Sequence, residues 1–209
     1  MPSLTVLSGP NCAGKTTSYD SLFSLWLLPV MPVNLDLLEE NLTSSVNKPL
    51  KIVKALFELF NKLCFRAIQQ NTDFAFECNL RDNQLELLNP FIKAGYNINI
   101  IYLCLNSLEQ SMQRAEYRYI YQNGILIEPK SIKHNFIQGL KNLDNHFQDY
   151  NKVIIIDNSS DNYHGITNEV NIKLEVNNGQ ITSYDINFPP SGLKTYLPNI
   201  SKLIEQHIL

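Results

Sequence analysis

The sequence has few of the features that mark secreted, zinc-binding or membrane-spanning proteins. Its 209 residues include four cysteines, none of them in a Cys-x-x-Cys pair, which argues against a disulfide framework and against a zinc site. No apolar run approaches the roughly 20 residues that a membrane-spanning helix needs. Met1 leads into the first apolar segment without a basic leader. We therefore predict a reduced, cytoplasmic protein with no membrane association.

Positive charge is also scarce. The chain has 17 lysines and arginines against 20 acidic residues, and its net charge is −3. Because the lysines are scattered, the sequence has no basic surface of the kind that binds nucleic acid, and we predict no nucleic-acid partner. With 44% apolar residues the chain can bury one full α/β core without disulfides or metal, so one domain is expected.

Apolar segments of strand length alternate with longer helical patterns, which predicts a parallel sheet with crossover helices. The predicted strands are 3–8, 31–35, 73–78, 97–105 and 153–157. Apolar residues at spacings of three and four predict helices over 50–70, 107–121 and 129–149. After Asp157 the pattern changes to alternating segments, 170–176 and 180–186, around an Asn-Gly turn. This change predicts an antiparallel hairpin, followed by a tail, 189–209, with a short helix.

Glycine is rare, with eight in the chain, yet two of them frame a segment that directly follows the first strand. This segment fits the pattern G-x-x-x-x-G-K-[ST] and reads Gly9-Pro10-Asn11-Cys12-Ala13-Gly14-Lys15-Thr16-Thr17. In such a phosphate loop, backbone N–H groups surround an anion, Lys15 binds the β- and γ-phosphates, and Thr16 offers its hydroxyl to Mg²⁺. The motif therefore predicts that these nine residues bind a nucleoside triphosphate.

Together, the loop and the elements predict a three-layer α/β/α P-loop NTPase fold with a nucleotide-kinase-like parallel sheet and a C-terminal antiparallel hairpin as an appendage. The expected single domain, 1–209, has a parallel-sheet core over 1–160 and a hairpin and tail over 165–209. A lid is expected around 107–136.

Three acids follow predicted strands, where ligands of open parallel sheets bind. Asp36 is either a base that faces the acceptor of the phosphoryl group or a cap for the following helix. Glu77 ends an apolar, central strand, where an unpaired carboxylate is costly, so a functional role is favoured. Asp157 resembles the acid of a Walker B strand, but the segment Asp157-Asn158-Ser159 favours a turn-forming role.

Two of the four arginines, Arg114 and Arg118, are four residues apart on one face of the predicted helix 107–121. A guanidinium matches phosphate oxygens well, so at least one of the two is expected to face the γ-phosphate. The alternative is a solvated helix face on which they pair with Glu116 or other acids.

In this order, the segments resemble the zeta-toxin-like kinases over about residues 3–186. The resemblance rests on the phosphate loop, the arginine helix and four further segments, which are Val33–Asp36, Phe74–Arg81, Ala94–Tyr96 and Asp157–Ser159. It implies ATP- and Mg²⁺-dependent phosphorylation of a hydroxyl on a small acceptor, which in characterised members is UDP-N-acetylglucosamine. It also implies that some members are toxins held by a separate antitoxin protein.

The resemblance also assigns roles. It implies that Lys15 and Thr16 hold phosphate and Mg²⁺, with Thr16 as the metal ligand, and that Asp36 is the acceptor base. Arg114 or Arg118 would face the γ-phosphate. The residues expected to line the acceptor site are Asn34, Asp36, Glu77, Asn79 and Arg81.

Several positions depart from the family pattern. Cys12 replaces a glycine, which is tolerable if that position has a negative φ. Cys78-Asn79 replaces paired threonines and Arg81 replaces a small hydroxyl residue, so the acceptor pocket is rebuilt. The family has further arginines after the arginine helix. They are absent here, and Lys133 or His134 stands near their place. These departures leave open an alternative, a catalytically weak ATP-binding protein that acts as a switch or interaction module.

Overall fold

The computed structural model describes residues 1–34, 49–122, 124–160 and 170–208. The predicted acceptor base, Asp36, therefore falls outside the described residues. The side chains of residues 49–53 and 208 are likewise not described.

The described residues form one seven-stranded sheet in the order β2-β3-β1-β4-β5-β6-β7. Its strands are β1 (Ser3–Ser8), β2 (Val33–Asn34), β3 (Phe74–Cys78), β4 (Asn97–Cys104), β5 (Lys152–Asp157), β6 (Ile172–Asn177) and β7 (Gln180–Tyr184). The first five strands run parallel, and β6 and β7 are antiparallel to their neighbours. The predicted parallel sheet with a C-terminal hairpin is thus confirmed.

Helices flank this sheet. They are α1 (Tyr19–Ser24), α2 (Pro49–Gln70), α3 (Asp82–Leu85), α4 (Asn89–Lys93), α5 (Leu108–Tyr121), α6 (Pro129–His146), α7 (Ser191–Lys194) and α8 (Pro198–Ile208). Ser107 caps α5 by accepting a hydrogen bond from Gln110 N at 3.2 Å, and Pro129 opens α6 where no N–H partner is needed. The helix predicted over 129–149 ends earlier, at His146.

The core lies between the sheet and these helices. Strands β1, β4 and β5 are buried almost without interruption, as expected for parallel strands covered on both faces. On one side, the rings of Phe60, Phe74, Phe76, Phe91 and Tyr96 pack edge to face or stacked at 5.1 to 6.2 Å. Each buried ring of this kind contributes about 2 kcal/mol to stability.

The C-terminal segment covers the β5 edge of the parallel strands. The β6–β7 turn has Asn178 and Gly179 at φ 48° and 77°, the two positive angles that a two-residue type I′ turn requires. Helix α8 is attached to α6 because Asn199 N and Ile200 N both donate to the carboxylate of Asp144, at 3.1 and 2.9 Å. Burial nevertheless raises the pKa of Asp144.

None of the helices in the described ranges is both long enough and apolar enough to cross a membrane.

Candidate functional site

The phosphate loop leaves β1 in the middle of the sheet, beside the carboxyl ends of β3 and β4. Its first glycine, Gly9, has φ 146° and packs directly on β4. A Cβ atom at this position would lie 2.3 Å from Leu103 O, closer than any side chain tolerates. Only glycine therefore fits where the loop begins.

The expected negative φ at Cys12 is not found: Cys12 has φ 59°, and Gly14 has φ 84°. A non-glycine residue in this left-handed region costs on the order of 1–2 kcal/mol. The strain is held by contacts on each side, because Asn11 O accepts from Ser111 Oγ at 2.7 Å and Ala13 O accepts from Asn158 Nδ2 at 2.7 Å.

Lys15 lies under this loop with 8% of its side chain exposed. Its Nζ donates to Gly9 O, Pro10 O and Asn79 Oδ1, each at 3.0 Å. The nearest carboxylate oxygen in the described residues, Glu77 Oε1, is 4.0 Å away. The ammonium is thus held by neutral oxygens, with one acid at the limit of ion-pair distance.

Glu77, the penultimate residue of β3, is the centre of a second set of contacts. Its Oε2 accepts hydrogen bonds from Thr16 Oγ1 at 2.9 Å, from Asn34 Nδ2 at 3.1 Å, and from the hydroxyl of Tyr19. Asn34 Nδ2 also donates to Thr16 Oγ1, at 3.2 Å. The structure therefore brings the predicted site residues Lys15, Thr16, Asn34, Glu77 and Asn79 together.

Tyr19 is a member of this cluster that sequence reasoning missed. It is buried, and burial together with the neighbouring Glu77 carboxylate raises its pKa well above the usual value for tyrosine. The phenol therefore stays protonated at physiological pH and donates to Glu77. The sequence signal that could have identified Tyr19 is its position in the first turn after the loop, because that turn faces the end of the neighbouring strand.

Arg114 occupies the other side of the loop. It is 6% exposed, and its two terminal nitrogens donate to Cys12 O at 3.4 Å and to Ser160 O at 2.6 Å. The guanidinium thus joins the loop to the segment that follows β5. In this structure Arg114 contacts backbone carbonyls at the loop rather than projecting toward the solvent.

Arg118, one turn further along α5, is exposed. It lies close enough to the loop for its positive charge to lower the pKa of Cys12, although burial raises that pKa by more. Its side chain also packs on Gly124, where an added Cβ would come within 2.6 Å of Arg118 Cγ. Lys133 and His134 are exposed on the first turns of α6.

Three further residues that join the site were missed by sequence reasoning. Ser111 and Asn158 bind loop carbonyls, and Asn135 Nδ2 donates to Asn11 Oδ1 at 2.8 Å. All three are neutral and small. Asn158 lies in the segment Asp157–Ser159 on which the resemblance partly rests, whereas nothing in the sequence separates Ser111 and Asn135 from ordinary helix residues. Asp157, by contrast, accepts from Ser159 N at 2.9 Å, which is the predicted turn-forming role.

Arg81 lies at the edge of the acceptor side. It directly precedes α3, and its backbone N–H donates to Gln84 Oε1 at 3.0 Å, which also accepts from Asn79 N at 3.2 Å. The side-chain amide of Gln84 thereby holds the backbone of Asn79 and Arg81, two of the predicted acceptor-site residues.

A separate cavity of about 190 Å³ lies at the carboxyl ends of β4 and β5, lined by Cys104, Asn106, Asp157, Lys173, Asn187, Phe188 and Pro190. Its charged groups are already bonded within the protein, since Lys173 Nζ donates to Asp185 Oδ2 at 2.7 Å. The polar groups around the phosphate loop are therefore the stronger candidate for chemistry.

These features define the class: a P-loop fold of the nucleotide-kinase type, with the phosphate-loop strand flanked by the strand that carries Glu77. At the level of sequence, no family model and no curated protein matches the chain. At the level of structure, several solved proteins do.

One similar structure is a chain of the PezAT chromosomal toxin–antitoxin system of Streptococcus pneumoniae, with a TM-score of 0.58 and 14% identity over 99% of this chain and 84% of that chain. A second is the AvrRxo1-ORF1:-ORF2 complex with ATP, with a TM-score of 0.61 and 15% identity over 98% of this chain and 64% of that one. A third belongs to the Pnkp1/Rnl/Hen1 RNA repair complex, with a TM-score of 0.54 and 16% identity over 69% of this chain and 46% of that one.

At these identities, the likeness establishes the fold. The predicted fold class is confirmed, and so, at the level of fold, is the resemblance to zeta-toxin-like kinases.

Proposed function

We propose that the protein is an ATP-dependent kinase that transfers a phosphoryl group to a hydroxyl of a small-molecule acceptor. The observation that carries the proposal is the contact between Thr16, in the phosphate loop, and Glu77, at the end of the adjacent strand. This contact brings a hydroxyl and a carboxylate together near the Lys15 ammonium, and groups of these kinds support phosphoryl transfer.

The residues fit ATP. Lys15 is a buried cation whose described partners are neutral oxygens at 3.0 Å and one carboxylate oxygen at 4.0 Å, so it has capacity for a polyanion. Around it, Cys12 and Gly14 adopt left-handed angles, and residues with such angles allow successive backbone N–H groups to form an anion-binding concavity. Lys15 and the loop backbone would hold the phosphates.

The residues also fit Mg²⁺. The described residues contain no cluster of three or more His, Cys, Asp or Glu that could hold a metal by itself. Mg²⁺ is commonly held by one or two protein oxygens together with phosphates and water, and Thr16 Oγ1 and a Glu77 carboxylate oxygen offer hard oxygen ligands 2.9 Å apart. When bound, the ion neutralises charge on the phosphate oxygens.

The remaining roles are assigned to this chain's own groups. Tyr19 and Asn34 orient the Glu77 carboxylate, and Asn79 orients Lys15. Asp36 accepts the proton of the acceptor hydroxyl, and Arg118 supplies positive charge at the transferring phosphoryl group. Arg114 holds the loop against the segment after β5.

The acceptor that we propose is UDP-N-acetylglucosamine or a related nucleotide sugar, on the basis of the sequence resemblance. A protein partner, a separate antitoxin, is also proposed. It is supported by the similar chain from PezAT, which is described as a toxin–antitoxin system.

The proposal is tested by measuring ATP-dependent phosphorylation in a metabolite extract and with UDP-N-acetylglucosamine, with ADP release as the readout. Asp36→Asn should lower turnover by roughly 100-fold or more while ATP binding persists, because asparagine cannot accept the proton. Asparagine caps a helix as well as aspartate does, so near-normal turnover would return Asp36 to a capping role.

A second candidate function is an ATP-binding protein with little catalysis. It is favoured by one observation: Arg114, one of the two predicted lid arginines, is buried and bonded to backbone carbonyls. This candidate predicts ATP binding by calorimetry with no acceptor-dependent ADP release, whereas the kinase predicts both.

A further inference from the structure

Arg81 is partly exposed, and its side chain has no acceptor among the described residues. Its Nε atom is shielded from solvent and has no hydrogen-bond partner. Within the described ranges, no carboxylate oxygen lies within 4.0 Å of this side chain. A buried, unpaired donor on a charged group is costly, so such a group calls for an explanation.

Neighbouring acids do not supply the missing partner. Asp82, the next residue, accepts at Oδ1 from Asn142 Nδ2 at 2.8 Å, and the amide of Gln138, oriented so that both of its polar atoms are satisfied, donates to Asp82 Oδ2 at 2.8 Å. Glu77 is held by Thr16, Tyr19 and Asn34. The acids on each side of Arg81 are thus committed to neutral donors.

The backbone at Arg81 is held in place although its side chain has no partner. Gln84 Oε1 accepts from the backbone of both Asn79 and Arg81, and Leu80 between them is buried, with its carbonyl accepting from Asn142 Nδ2 at 2.9 Å. A segment this well anchored presents its side chains in a defined place, which is what ligand recognition requires.

The location relates Arg81 to the transferred phosphoryl group. Asn79 Oδ1 is bonded to Lys15 Nζ, and Arg81 follows Asn79 by two residues, a distance of at most about 7 Å along the backbone. The backbone of Arg81 therefore lies near Asn79, on the β3 side of the phosphate loop, whereas Arg114 of α5 contacts the loop from the side of β4 and β5.

From these contacts we infer that Arg81 binds an oxyanion carried by the acceptor, such as a phosphate, and so selects acceptors that have an anionic group near the hydroxyl to be phosphorylated. The inference rests on the proposed kinase function and adds to it the chemical class of the acceptor. The planar fork of arginine gives two parallel hydrogen bonds to an oxyanion, which a lysine cannot reproduce.

The test is a titration of inorganic phosphate into the full-length protein saturated with a non-hydrolysable ATP analogue and Mg²⁺, so that the phosphate loop is filled. Arg81→Gln should weaken phosphate binding roughly tenfold or more, and Arg81→Lys should restore only part of it. N-acetylglucosamine serves as a neutral probe and should not distinguish the variants. Arg66→Gln, which removes an exposed charge on α2, is the matched control and should leave phosphate binding unchanged.

A second readout separates recognition from a structural role. Because Arg81 makes no side-chain hydrogen bond with a described residue, Arg81→Gln should leave the melting temperature within about 2 °C of the wild type. A large loss of melting temperature, or phosphate binding that is absent or equal in wild type and Arg81→Gln, overturns the inference. If the ATP analogue does not bind, the proposed kinase function is wrong, and so is this inference. If the analogue binds but phosphate affinity is the same in wild type and Arg81→Gln, only this inference is wrong.

Discussion

The two sides of the phosphate loop are built from different chemistry. On the β3 side, Lys15 and Glu77 are charged, lie 4.0 Å apart and are surrounded by hydroxyl and amide side chains. On the side of α5 and β5, Ser111, Arg114 and Asn158 donate to three successive loop carbonyls, those of Asn11, Cys12 and Ala13.

This difference indicates that the two sides of the phosphate loop have different roles. On the α5 side, bonds to backbone carbonyls hold the shape of the loop, and Arg118 is an exposed charged residue near it. The β3 side instead collects groups that can exchange partners when phosphates and metal arrive. We therefore expect substitutions on the β3 side to affect ligand binding and turnover, and substitutions on the α5 side to affect stability.

Lys15→Ala is the strongest test on the β3 side. Removing the buried ammonium should weaken ATP binding by roughly 100-fold or more, because charge-assisted bonds to phosphate are lost. The melting temperature should fall by only about 2–4 °C, because three neutral oxygens lose their donor and Glu77 loses a cation 4.0 Å away, while the cost of burying the ammonium is relieved. Calorimetric titration with ATP measures the effect, with the exposed Lys62→Ala as control, and unchanged affinity would remove the phosphate-loop assignment.

Arg114 and Arg118, both on α5, test whether a structural role and a catalytic role are separated within a single helix. Arg118→Ala should lower turnover by roughly 100-fold while leaving ATP affinity and stability nearly unchanged, because its contact forms mainly in the transition state. Arg118→Lys should recover only part of the activity.

Arg114→Ala should instead lower stability while leaving turnover nearly unchanged. The loss of buried, charged hydrogen bonds is worth about 2 kcal/mol, or about 4–8 °C in melting temperature for a chain of this size. Thermal unfolding and ADP release measured on both variants would decide the matter: if Arg114→Ala is fully stable and inactive, Arg114 is the catalytic arginine and the division fails.

Cys12→Gly tests the strain held by the α5 side. Glycine removes the left-handed penalty at φ 59° but adds flexibility to the unfolded chain, so we expect a net stabilisation of about 0.5–1 kcal/mol. Urea unfolding measures this gain. Cys12→Ser keeps a Cβ and should show none, so an equal gain in both variants would mean that the thiol, and not the backbone angle, is the cause.

Asp185→Asn is the smallest expected effect and lies outside both sides of the loop. The hydrogen bond from Lys173 lowers the pKa of Asp185, so the pair stabilises the folded protein above the unfolded-state pKa and this contribution is lost as pH falls through the folded-state pKa. At pH 7 the variant should be about 0.5 kcal/mol less stable, and near pH 2 the difference should vanish. ATP affinity should be unchanged, and a loss of affinity would link the hairpin to the site.

Much of this architecture follows from the sequence because its signals are local. Continuous apolar runs predict β1, β4 and β5, and the Asn178-Gly179 pair predicts the hairpin turn. The loop motif and the acid at the end of β3 likewise placed Lys15, Thr16 and Glu77 in one site, as the structure finds.

The contacts that escaped prediction depend on tertiary geometry. Whether Arg114 faces solvent or loop carbonyls depends on how closely α5 approaches the loop, and helical spacing does not encode that distance. The sequence left the angle at Cys12 open for a related reason: the conformation is held by neighbours such as Ser111 and Asn158, about 100 and 145 residues away in the chain.

The position of the Asn178-Gly179 turn makes it a suitable site for attaching a label. Because β6 runs antiparallel to β5 and Asn177 pairs with Lys152, the turn lies at the edge of the sheet where the parallel strands begin, opposite the phosphate loop. Asn178 is exposed there. A fluorophore or a short epitope inserted at this turn would label or immobilise the protein while leaving the phosphate loop at the opposite edge unobstructed.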